Sequence, residues 1–93
     1  MTGILDIMPI VTYIGSKEVS HVGTERLGNR LRMARAERRL SQEQLADLAG
    51  VTRQTISSIE NAQYGPSALL AFILARRLNK PVTELFFIEG DTP

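Results

Sequence analysis

The rhythm of apolar positions changes near residue 25. Before it, Pro9 and three glycines interrupt the chain, and a β-branched run, "IVTYI" (10–14), is followed by "GSK" and "EVSHV" (18–22). That arrangement predicts an irregular or weakly β extension with at most a weak hairpin. From Arg26 onward the spacing is helical. Leu27, Leu31 and Ala34 fall at i, i+4 and i+7, which predicts a first helix over about 26–38. Ser41 with Gln44 three positions later is the capping-box pattern, opening a second helix over about 42–49. Gly50 ends it, since glycine takes positive φ at little steric cost and returns Val51 to the core. Thr52 then caps a third helix, about 53–61, with Ile56 and Ile59 inward, and Ala46 is small enough to let the third helix cross the second closely.

Length and composition restrict what such helices can do. Ninety-three residues support one modest core, not a core plus an elaborate cleft, so function is expected on a surface. There is no cysteine, which excludes a disulfide framework and a thiolate zinc site and suits a reducing cytoplasm. No apolar stretch approaches the ~20 residues of a membrane span, and the first residues lack a signal-peptide layout. The net charge of +1 is uninformative, but its distribution is not. Seven arginines (26, 30, 32, 35, 38, 39, 53) face only Glu37, Glu43 and Asp47 between residues 26 and 54, a local excess of +4, whereas the rest of the chain carries −3. A polyanionic partner requires such a concentration.

Residues 42–61 resemble the helix-turn-helix of the phage repressor and Cro class of transcriptional regulators, the Xre family. The resemblance extends over about 27–86 and includes "RQTISSIEN" (53–61), "YGPS" (64–67) and "NKPVTELF" (79–86). It implies an all-α, five-helix DNA-binding domain over 25–93, preceded by the 1–24 extension. Helices four and five would cover about 68–78 and 82–86, with Ser67 capping the fourth and Asn79 closing it in a left-handed conformation.

The expected interface follows from helix chemistry and from the resemblance together. Helix N-termini expose unpaired N–H groups that suit phosphate, and the third helix is slim enough for the major groove. Base reading is assigned to Arg53, Gln54, Ser57 and Ser58, because arginine bridges guanine O6 and N7 and glutamine pairs with adenine N6 and N7. The resemblance places Gln42, Thr52, Asn61, Gln63 and Tyr64 at the DNA backbone, and Arg30 and Arg32 are candidates for further phosphate contacts. It also implies that Arg35 and Glu60 pair across the core. One departure stands out: the family commonly has glycine after the Glu-Asn pair, where this chain has Ala62, so either Asn61 turns left-handed or the loop differs.

The fourth helix is apolar on too many sides. A stripe of Ala68, Ala71, Phe72, Ala75 and Leu78 suffices to pack it, leaving Leu69, Leu70 and Ile73 as a surface where related chains place polar residues. These three, with Phe86, Phe87 and Ile88, are the expected homodimer interface, assisted by apolar residues within 4–14. Catalysis is not expected. His21 is the lone histidine and lies in the least regular segment, and no metal-ligand cluster, cofactor fingerprint or paired carboxylates beside a nucleophile occur. The expected function is sequence-specific binding of a near-palindromic duplex operator by a cytoplasmic homodimer that regulates transcription, repression being the commoner outcome in the resembling family. The alternative is a DNA-binding antitoxin or interaction module whose main partner is another protein.

Overall fold

A computed structural model describes residues 21–90. Its elements in chain order are β1 (His21–Val22), β2 (Glu25–Asn29), α1 (Leu31–Glu37), α2 (Gln42–Ala49), α3 (Arg53–Glu60), α4 (Ala68–Leu78), α5 (Val82–Leu85) and β3 (Phe86–Gly90). The chain is therefore mostly helical but not all-α. The strands form one antiparallel sheet in the order β1-β2-β3. β2 pairs with β3 from Glu25↔Gly90 to Asn29↔Phe86 without interruption, and β1 pairs through His21↔Arg26 and Val22↔Glu25. The apolar run 4–14 and most of the expected hairpin lie outside the described residues.

The expected first helix thus begins five residues late. Gly28 disfavours helix, and it is required in the strand: a Cβ there would overlap the Phe87 ring across the pair. Asn29 then fixes where the helix can start, because its Oδ1 accepts from Leu31 N at 3.0 Å. The Leu27–Leu31 spacing spans this change of structure, with Leu27 set opposite Ile88 on β3. At the other end α5 stops at Leu85, and the aromatic and β-branched "FFI" runs on as strand.

The core is built from Leu31, Ala34, Leu45, Ala46, Ile56, Ile59, Leu70, Leu74, Ala75, Leu78, Leu85 and Phe86. Two of these, Leu70 (8% exposed) and Phe86 (9%), expected at a subunit interface, are buried in this core. The packing face of α4 is the Leu70–Leu74–Leu78 line, which leaves Phe72 61% and Leu69 72% exposed. A helix apolar all round does not reveal its phase, and burying three leucines removes more apolar area than burying alanines. Ser67 Oγ accepts from Leu70 N, and Asn79 closes the helix at φ 56°, Lys80 N donating to Ala75 O at 3.0 Å.

Candidate nucleic-acid interface

The geometry begins at Ser41. Its hydroxyl accepts from Gln44 N at 3.0 Å while Gln44 Oε1 accepts from Ser41 N at 2.7 Å, so the first turn of α2 is closed by the chain's own side chains. Gly50 ends α2 at φ 77°, with Val51 N donating to Ala46 O at 3.0 Å. Thr52 then caps α3, accepting from Thr55 N at 3.2 Å. Ala46 and Leu45 on α2 and Ile56 and Ile59 on α3 are buried, which locks the two helices to each other.

That packing turns the opposite side of α3 outward. Arg53 and Gln54 are exposed at its start, and Ser57 and Ser58 are half-buried along it. Gln54 Nε2 lies 3.5 Å from Ser58 Oγ, and Arg53 Nη1 donates to Gln42 Oε1 at 3.4 Å. The Gln42 amide reaches further, its Nε2 donating to Glu60 Oε1 at 3.0 Å. Arg53 is thereby connected through Gln42 to the buried carboxylate at the far end of the same helix.

Glu60 is the hub. Its side chain has no exposed surface, and Arg35 grips it through Nε at 2.7 Å and Nη2 at 3.2 Å while donating its Nη1 to Leu40 O at 2.8 Å. Arg32 adds a longer contact at 3.4 Å and donates Nη2 to Asn61 Oδ1 at 3.2 Å. Burial alone would raise the Glu60 pKa, but hydrogen bonds from Arg35, Gln42 and Arg32 and the charge of Arg35 outweigh it, holding the carboxyl below its ordinary value. α1, α2 and α3 are thus cross-linked by one charged group.

Beyond α3, Asn61 keeps φ at −90° and Ala62 takes the left-handed conformation at 58°. The loop carries exposed Gln63, while Tyr64 is half-buried and packs on the core. Arg32 and Arg30, alike in sequence, diverge: Arg30 sits 4.4 Å over the Phe87 ring and its Nη1 is 3.5 Å from Glu84 O. Sequence reasoning missed Asn29, whose Nδ2 donates to Ile59 O at 2.9 Å and so ties β2 to α3. An asparagine two positions before a helix was the available signal. It also missed Arg77, which donates to Leu48 O at 2.8 Å in the last turn of α2, as a basic group near a helix C-terminus is placed to do. Among the described residues no group of three or more His, Asp or Glu could hold a metal ion, and no helix is long and apolar enough to cross a membrane.

Residues 31–85, which contain the whole α2–turn–α3 unit, match the helix-turn-helix family. The chain belongs to that family. Its helix-turn-helix domain is 43% identical over 63 residues to an HTH-type transcriptional regulator of Methanocaldococcus jannaschii, spanning 68% of this chain and 96% of that protein. It is 38% identical over 63 residues to the HTH-type regulator YgzD of Bacillus subtilis, with the same coverage of each. Among solved structures it is similar to the restriction-modification controller protein C.AhdI of Aeromonas hydrophila, at 36% identity and a TM-score of 0.57 over 59% of this chain and 80% of that one. The fold is shared with the transcriptional regulator VanUg, at a TM-score of 0.63 over 76% of this chain and 95% of that one, although identity is only 12%. The chain is thus a DNA-binding, helix-turn-helix transcriptional regulator by family.

Proposed function

We propose that the protein works in the cytoplasm as a homodimeric repressor that reads a near-palindromic operator by placing α3 in the major groove. One observation carries the reading. α3 buries Ile56 and Ile59 and exposes Arg53 and Gln54 at its N-terminal end, where a recognition helix meets base edges. Arg53 and Gln54 are the principal readers, and Ser57 and Ser58 lie further along the same helix. Gln42, Thr52, Asn61, Gln63, Tyr64 and Arg32 flank that helix and set its register on the phosphates. Arg35 and Glu60 do not touch DNA; they fix the angle at which α3 is held. Of the apolar residues assigned to subunit contact, Leu69 and Ile88 are exposed and Ile73 and Phe87 half-buried, so these four remain for the dimer.

Selection of bound duplexes from a random pool tests the proposal. The expected product is a site with two inverted half-sites whose centres are ~34 Å apart, one helical turn. Enrichment of no sequence, or of a single unpaired half-site, contradicts it.

A further inference from the structure

Asn61 stands where α3 ends, exposed, and keeps φ at −90° while Ala62 takes the left-handed turn. An exposed carboxamide can turn either end outward. Its NH2 end donates to a phosphate, whereas its oxygen repels one. Arg32 removes that choice. A guanidinium carries donors only, so the end it holds must be the oxygen, and Arg32 Nη2 donates to Asn61 Oδ1 at 3.2 Å. Arg32 is anchored in turn by its Nε, 3.4 Å from Glu60 Oε1. That side chain has no exposed surface and is gripped at 2.7 Å by Arg35. Arg32 and Arg35 are i and i+3 on α1 and so share one side of it, where the adjacent Glu60 and Asn61 meet them together. Asn61 Nδ2 has no partner among the described residues.

We propose that Arg32 is a positioning residue: by holding Oδ1 it presents Nδ2 of Asn61 as a donor to a DNA phosphate at the end of α3. This deepens the reading of Asn61 as a backbone contact and rests on it. A charge-assisted hydrogen bond holds the amide more firmly than a neutral donor could. Behind it stands the buried Arg35–Glu60 pair, so the amide is oriented by the core before DNA arrives and less rotational freedom is lost on binding. Arg32 therefore acts on affinity twice, through its own charge and through the neutral group beside it. Only the first of these carries a salt dependence.

Full-length wild type, Asn61→Ala, Arg32→Ala and the double variant are compared by fluorescence anisotropy on the selected operator and on a scrambled duplex, with circular dichroism of each to confirm the fold. In the wild-type background Asn61→Ala is expected to weaken both duplexes about tenfold, as one lost hydrogen bond to a charged group does, with the salt slope unchanged. In the Arg32→Ala background the same change is expected to weaken them only about twofold or less, because the amide has already lost its orientation. In the DNA-free protein the heteronuclear NOE of the Asn61 side-chain amide is expected to report a rigid group that becomes mobile in Arg32→Ala. Equal losses from Asn61→Ala in the two backgrounds, or an amide equally mobile in both, overturn the positioning role and leave Asn61 as a backbone contact. Asn61→Ala binding like the wild type overturns that contact and the positioning role together, and leaves α3 as the reading helix if the wild type still prefers the operator. A wild type that binds neither duplex overturns the proposed function and the positioning role with it.

Discussion

Glu60 stays charged in a place with no water contact because four donors converge on it: two from Arg35 and one each from Arg32 and Gln42. Removing the carboxylate strands Arg35, whose guanidinium is mostly buried, so Glu60→Ala is expected to cost about 3–5 kcal/mol in urea unfolding. The pH dependence follows from the sign of the shift. A carboxyl whose folded pKa lies below its unfolded value contributes stability above the ordinary value of 4.5, and that contribution is lost as pH falls below 4.5 toward the lowered folded value. Glu60→Gln should flatten this acid limb, measured as unfolding free energy from pH 6 to 3. An identical limb in wild type and variant would place the acid sensitivity elsewhere. Ala62 offers the converse test. Its φ of 58° strains any side chain, so Ala62→Gly should raise stability by about 0.5–1 kcal/mol. The pairing of Glu60 is not contained in its own sequence position, which only follows Ile59; the resemblance to a repressor family supplied its partner.

At the scale of elements, legibility tracks how local the determining interactions are. α2, the turn and α3 could be read because Ser41, Gln44, Gly50 and Thr52 act within four residues of themselves, and the structure shows each of those bonds. Gly50 has open space where a Cβ would go, so Gly50→Ala meets no neighbour and its cost is the strain of holding a side chain at φ 77°. A loss of about 1 kcal/mol is expected by thermal unfolding, with α3 still docked. A much larger loss would mean the turn has no room to adjust. β2 was misread because Leu27, Leu31 and Ala34 mimic a helical stripe, whereas the strand is dictated by Phe87 and Ile88, some sixty residues away. The phase of α4 was misread for a related reason, since "ALLAFILA" offers apolar residues in every direction and only the facing helices decide which ones are buried.

For the whole molecule, the arginines between 26 and 53 do not act as one patch. Arg35 is committed to Glu60, Arg38 donates to Leu78 O at 3.1 Å, and Arg30 lies on Phe87. Of the remaining four, Arg26, Arg32, Arg39 and Arg53, it is Arg53 at the start of α3 and Arg32, beside the end of that helix with side-chain exposure of 63%, that border α3. Their roles on DNA should separate cleanly. A phosphate contact weakens all sequences alike, so Arg32→Ala should lower affinity for specific and random duplexes equally and reduce the slope of log K against log salt by about 1. A base contact discriminates. The most direct test is therefore the affinity of Arg53→Ala for the selected operator and for a scrambled duplex of equal length, titrated side by side at one salt concentration. The operator is expected to lose about 1–3 kcal/mol while the scrambled duplex changes little. An equal loss on both duplexes would contradict the placement of α3 as the element that reads sequence.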